Sequence, residues 1–204
     1  NGTAKVLRWM KEHGHVPDHC LVGEPTSLDK LGDTIKIGRR GSLSFVVTVE
    51  GKQGHAAYPH KADNPIPKLA RFVERLSAAP LDLGNQHFDP STLAFTSFDV
   101  GNPAGNVIPS KAVLKFNIRY STEHDFGSLK ALVDGHIEAM RDDLGGVWSV
   151  QHVEGAEAFT TEPGAFVGLV MDAVQAETGI VPKLSTSGGT SDARFIKDYC
   201  PVLE

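Results

Sequence analysis

From Ser42 to Val153 the apolar residues switch repeatedly between strand and helix spacing, and this series constrains the fold more than any single motif. Ser42 to Val49 (SLSFVVTV) is β-branched and partly alternating, which predicts a strand. Asn64 to Ala78 places Ile66, Leu69, Val73 and Leu76 on one helix face, with Asp63 or Asn64 as cap and proline near the first turn. Thr92 to Val100 and Ala112 to Tyr120 return to alternation. In the second of these, Leu114, Phe116 and Ile118 oppose Val113, Lys115, Asn117 and Arg119. Asp125 to Met140 is a second amphipathic helix through Leu129, Leu132, Ile137 and Met140, and Val147 to Val153 is a last strand. The order β-α-β-β-α-β is the split βαβ, ferredoxin-like arrangement.

The flanks follow another pattern. Thr3 to Glu12 has helical spacing at Ala4, Leu7 and Met10, with Thr3 as cap and Gly14 past its end. His19 to Val22 reads as a short buried strand and Thr34 to Ile37 as another strand. Pro163 to Glu177 reads as a helix ending at Gly179, followed by a strand at Val181 to Leu184. The expected class is therefore α/β with an α+β lid. A ferredoxin-like domain over residues 40–154 is inserted between two pieces, 1–39 and 155–204, of another α/β domain. The chain opens with NGTAKVLRWMK, without Met and directly in a helix pattern, and stops at DYCPVLE as an apolar strand begins. The expectation is that both ends are cut from a longer protein.

A hydrophobic share of 40% and a charged share of 22% fit a globular chain with a core. The net charge of −5, without any basic run, argues against a nucleic-acid partner, and no apolar run is long enough to span a membrane. Cys20 and Cys200 lie far apart in sequence and read as reduced thiols of a cytoplasmic protein rather than as a disulfide.

Several residues could carry chemistry. Glu24 sits at a strand end between Gly23 and Pro25, where it reads either as a metal ligand or as a turn carboxylate. His13, His15, His19 and Cys20 cluster, but their spacing fits no structural zinc pattern and reads as a surface turn. His55 and His60 are five apart, which does not put both on one helix face. His55 is either a hydrogen-bond donor to a reacting carbonyl or a solvated loop residue. The connection Gly101 to Ser110 is longer than a hairpin needs and offers Asn102 and Asn106 as amide donors. Arg39, Arg40 and Arg119 are the guanidinium candidates. Ser187 to Asp192 (SGGTSD) offers backbone N–H groups ahead of a short helix, suited to a carboxylate or phosphate.

Six segments occur together in this order: GEPT (23–26), IGRRGS (37–42), GKQGHAAYPH (51–60), GNVIP (105–109), FNIRYS (116–121) and SGGTSDARFIKDYCPVLE (187–204). With them the chain resembles the di-zinc amidohydrolase and peptidase family of aminoacylases, acetylornithine deacetylases and carboxypeptidases. The resemblance implies an α/β catalytic domain that holds two zinc ions, a ferredoxin-like lid that makes a homodimer, and hydrolysis of an amide in a small-molecule substrate. It makes Glu24 a zinc ligand and His55 the lid histidine that polarises the scissile carbonyl in the partner subunit's site. It makes Asn106 a substrate contact, and Arg39, Ser42, Arg119, Gly189 and Thr190 the groups that bind substrate carboxylates and polar atoms. Gly105 departs from the family, where a polar residue often precedes the asparagine. The resemblance also places the remaining zinc ligands and the glutamate base outside residues 1–204, so the chain alone is expected to be inactive and to serve at most as a dimerisation module.

Overall fold

The computed structural model describes residues 2–189 and 191–204. Its elements are α1 (Gly2–Glu12), β1 (Cys20–Leu21), β2 (Thr34–Lys36), β3 (Gly38–Arg39), β4 (Gly41–Glu50), β5 (Gly54–His55), α2 (Pro65–Leu76), β6 (Thr92–Asp99), β7 (Val107–Ile108), β8 (Lys111–Tyr120), α3 (Phe126–Leu144), β9 (Val147–Ala156), β10 (Phe159–Thr160), α4 (Ala165–Thr178), β11 (Lys183–Ser185), α5 (Ala193–Ile196) and β12 (Val202–Leu203).

The long strands form one antiparallel sheet in the order β6-β8-β4-β9. β4 and β6 both pair antiparallel with β8, so they run parallel to each other on either side of it. This is the split βαβ that the periodicity predicts. Register decides which side chains enter the core: Leu43, Phe45, Val47 and Val49 of β4 face Ile118, Phe116, Leu114 and Ala112 of β8, and all are buried. α2 lays Leu69, Phe72 and Leu76 on that face, and α3 adds Leu129, Val133, Ile137 and Met140. α2 starts where Asn64 Oδ1 accepts the Ile66 N–H (3.1 Å). α3 starts at a reciprocal cap in which Asp125 Oδ1 accepts the Ser128 N–H (2.6 Å) and Ser128 Oγ accepts the Asp125 N–H (3.0 Å). It runs past Met140 to Leu144, which still packs on the core, and ends at Gly145, whose φ of 61° takes the chain out of the helix.

The shorter strands make parallel pairs, β1 with β12 and β2 with β11. Lys36 and Glu204 exchange two backbone hydrogen bonds (2.8 and 3.0 Å) that join the pairs. Leu7, Val167, Ala193 and Ile196 bury the helices against these strands. Thr3, expected as the cap of α1, lies inside the helix, and its hydroxyl donates to Asp192 Oδ2 (2.6 Å). α4 leaves Leu169 67% exposed, and with Leu21 and Leu31 it borders an apolar groove of about 520 Å³. Among the described residues no helix is long and apolar enough to cross a membrane.

Where the chain enters and leaves the large sheet, β3 pairs antiparallel with β10. The entry is tightly packed. A Cβ on Gly41 would lie 2.1 Å from the ring of Tyr120. That ring is fully buried, and its hydroxyl donates to Glu157 Oε2 (2.8 Å). Burial and then the Glu157 contact push its pKa well above the ordinary tyrosine range. Gly41→Ala is therefore expected to lower stability by about 1–3 kcal/mol, read by urea unfolding. A change below about 0.5 kcal/mol would show that the ring gives way freely.

Candidate functional site

Arg40, Asp89 and Arg119 meet Thr186, Ser187, Gly188 and Gly189 around a cavity of about 350 Å³. Strand alternation puts Arg119 on the open face of β8, directly opposite Ser42 of β4. Ser42 is buried, and its Oγ accepts from Asn117 Nδ2 (3.1 Å), as does Ser44 Oγ (2.9 Å). Arg40 is held by bonds from Nη2 to the carbonyls of Pro90 (2.7 Å) and Arg119 (2.9 Å). The glycine loop is anchored on both sides. Thr186 Oγ1 donates to the His87 carbonyl (2.6 Å), and Lys36 Nζ donates to Ser187 Oγ (2.6 Å) and Ser185 Oγ (3.1 Å). Gly188 has φ of 101°, a conformation that favours glycine, and a Cβ there would lie 2.5 Å from Arg39 Nη1. Two guanidiniums beside a glycine loop suit a carboxylate, which each can grip with two bonds.

Arg39 stands behind this cavity rather than in its wall. Its Nη2 pairs with Glu204 Oε2, and its Nη1 donates to the Ser187 carbonyl (3.2 Å). Thr190 lies outside the described residues. The glycine loop leads only into α5, a helix of four residues, and the Ala193 N–H is accepted by Ser191 Oγ (3.2 Å) rather than by Asp192.

His55 and Asn106 come together elsewhere. His55 pairs with Val107 across β5 and β7, and the Ala56 N–H donates to the Asn106 carbonyl (2.9 Å). The exposed His55 ring accepts the Ala57 N–H at Nδ1 (3.0 Å). In the neutral ring that bond leaves the proton on Nε2, so the outward nitrogen is a donor. His60 is exposed and stands edge-on to Tyr58.

Glu24 is exposed and lines a separate cavity of about 380 Å³ with Thr26, Thr34 and Glu204. Among the described residues no three His, Cys, Asp or Glu side chains converge as a metal site would require. Glu24 alone cannot close a coordination sphere, and Glu204 is engaged by Arg39 and Ser191, so the described residues do not by themselves fit a metal. The histidine cluster disperses: His13 stacks on Trp9 (4.4 Å), while His19 lies against Phe166 (4.4 Å). Cys20 and Cys200 are free thiols, each raised in pKa by burial. A further cavity, about 740 Å³, lies between α4 and the Lys197–Pro201 turn and is lined by neither Glu24, His55 nor an arginine. Its size alone assigns it no chemistry.

Two polar residues inside the fold escape the sequence patterns. Lys36 is 4% exposed and Glu204 is 7% exposed. Burial, then the neighbouring Arg39 charge, push the Lys36 ammonium below its usual pKa. The signal for Lys36 was a charge placed between Ile35 and Ile37 in a short apolar strand. Glu204 gave no comparable sign.

Residues 37–142 match the peptidase dimerisation domain of the M20 peptidases, and the chain belongs to this family. Its sequence relatives are narrower in kind. It is 55% identical over 204 residues to the succinyl-diaminopimelate desuccinylase of Rhodospirillum centenum and 51% identical over the same length to that of Nitrobacter hamburgensis. Both matches cover 100% of this chain and 52% of the relative, so the chain spans about half the length of the curated relatives it matches. A tripeptidase structure from Staphylococcus aureus superposes with a TM-score of 0.73 at 20% identity, over 91% of this chain and 48% of that one. An M20 family metallo-carboxypeptidase from Sulfolobus solfataricus gives 0.72 at 13% identity, over 98% and 58%. These two likenesses establish the fold and agree with the α/β class and lid read from the sequence.

Proposed function

We propose that the chain is part of a zinc-dependent succinyl-diaminopimelate desuccinylase. The enzyme would split N-succinyl-L,L-diaminopimelate with water into succinate and L,L-diaminopimelate, a step of lysine and diaminopimelate synthesis. The observation that carries this reading is identity of 51–55% along the whole chain to proteins of that name. The geometry supports it. The substrate bears several carboxylates, and the cavity of Arg40, Arg119 and the glycine loop is built for such groups.

In this reading residues 40–154 are the lid and dimerisation domain, and 1–39 and 155–204 belong to the catalytic domain. Glu24 is a zinc ligand. Arg39, Ser42, Arg119, Gly189 and Thr190 serve the substrate's carboxylates and polar atoms, and Asn106 contacts it from the lid. His55 lines neither the Glu24 cavity nor the arginine cavity of its own chain. That separation favours its acting on the site of a second copy across an isologous interface.

The test assays the full-length protein on N-succinyl-L,L-diaminopimelate and on N-acetylornithine, beside the 204-residue chain alone. The expected result is succinate release by the full-length protein and none by the chain, which sediments at twice its 21.9 kDa mass. Preference for acetylornithine would assign a related deacylase. Hydrolysis by the chain alone, or a monomer, would contradict the reading.

A further inference from the structure

We propose that Glu204 is a positioning residue: its buried carboxylate fixes the Arg39 guanidinium against the glycine loop of the arginine cavity. This deepens the functional reading above and rests on it for the identity of the ligand. Glu204 follows β12, the partner of the strand that precedes Glu24, and its carboxylate reaches two other segments. Oε2 takes Arg39 Nη2, 165 positions away in sequence, and Oε1 takes the hydroxyl of Ser191, just past the glycine loop. The backbone of Glu204 is itself clamped to Lys36, whose ammonium holds Ser185 and Ser187.

Arg39 has little else to hold it. Its Nε is buried with no partner among the described residues, and Nη1 makes a single 3.2 Å bond to the carbonyl of Ser187. Without Glu204 a long, flexible side chain would rest on one neutral acceptor, and the glycine loop would lose the Ser191 anchor. Charge points the same way. Lys36 and Arg39 lie close enough to repel, and the carboxylate touching Arg39 is Glu204. A buried carboxylate and guanidinium in contact contribute geometry more dependably than stability, because desolvation offsets much of their attraction. The expected consequence of losing Glu204 is therefore misplacement of the glycine loop that Arg39 and Ser191 anchor at the cavity wall, with little effect on the chemical step.

The test is a double-mutant cycle in the full-length protein with Glu204→Gln, Arg39→Met and the pair, each checked for its melting temperature and metal content. The paired variant removes both buried charges, so it keeps the test open if Glu204→Gln alone folds poorly. In the wild-type background Glu204→Gln is expected to raise KM about tenfold while kcat stays within about threefold. In the Arg39→Met background the same change is expected to alter KM less than about twofold. A purely structural role would cost the same in both backgrounds, and that result, or no rise in KM, overturns the proposal. Calorimetric titration of the same variants with succinate separates this from the functional reading. If the wild type binds succinate but does not hydrolyse the succinylated substrate, the assigned reaction fails while the same non-additivity in succinate Kd upholds Glu204. If the wild type binds no succinate, both readings fall.

Discussion

Replacing His55 by alanine in the full-length protein is expected to lower kcat about 10²–10³-fold while KM and bound metal stay near wild type. The expectation follows from how the ring is held. Nδ1 is already engaged by the Ala57 N–H at 3.0 Å, so Nε2 is the nitrogen left to donate. A donor aimed at the oxygen that gains charge stabilises the transition state more than the bound substrate, which is why kcat carries the loss. The short β5·β7 ribbon ties the backbone at His55 to the segment that carries Asn106, with the Ala56 N–H donating to the Asn106 carbonyl. Steady-state kinetics with metal analysis decides the point. Loss of metal along with activity would make His55 a ligand rather than a donor.

Phe116→Ala is expected to destabilise the lid by about 3–5 kcal/mol in urea unfolding. Phe116 is 1% exposed at the centre of β8, with its ring stacked on Phe45 at 5.0 Å and tilted against Phe72 at 6.3 Å. It sits where the sheet meets α2, and truncation would leave a cavity that neither layer can close. Marginal domains have only about 5–15 kcal/mol in hand, so the variant should be partly unfolded near body temperature. A loss below about 1 kcal/mol would mean that the core is not centred on β4 and β8.

The large sheet was readable from sequence because its strands are half buried. Leu114, Phe116 and Ile118 go inward while Lys115 and Arg119 go out, so alternation reports the fold directly. The helices were readable for the same reason, with Asn64 and Asp125 marking their starts. The two-residue ribbons were not, since β3·β10 and β5·β7 are too short to carry any period. The proximity of His55 to Asn106 depends on such a ribbon, and sequence alone gave them only as separate loop residues. Lys36 and Glu204 were invisible for a different reason. Their partners lie 151 and 165 positions away, and a buried charge is explained only by what it touches. Arg39 shows the same limit: its side chain is drawn to Glu204, behind the cavity that Arg40 and Arg119 line.

In the proposed dimer the lid of one subunit completes the site of the other. Mixing full-length His55→Ala subunits with Glu24→Ala subunits, after dissociation and reassociation, tests this most directly. Each variant alone is expected to be nearly inactive. In a mixed dimer the His55→Ala subunit keeps an intact catalytic domain and receives His55 from its partner's lid. Random pairing at equal amounts should then restore about one quarter of wild-type activity, since half the dimers are mixed and each has one working site. No restoration above the separate variants, with mixed dimers shown to form, would contradict the account and place His55 in the site of its own chain.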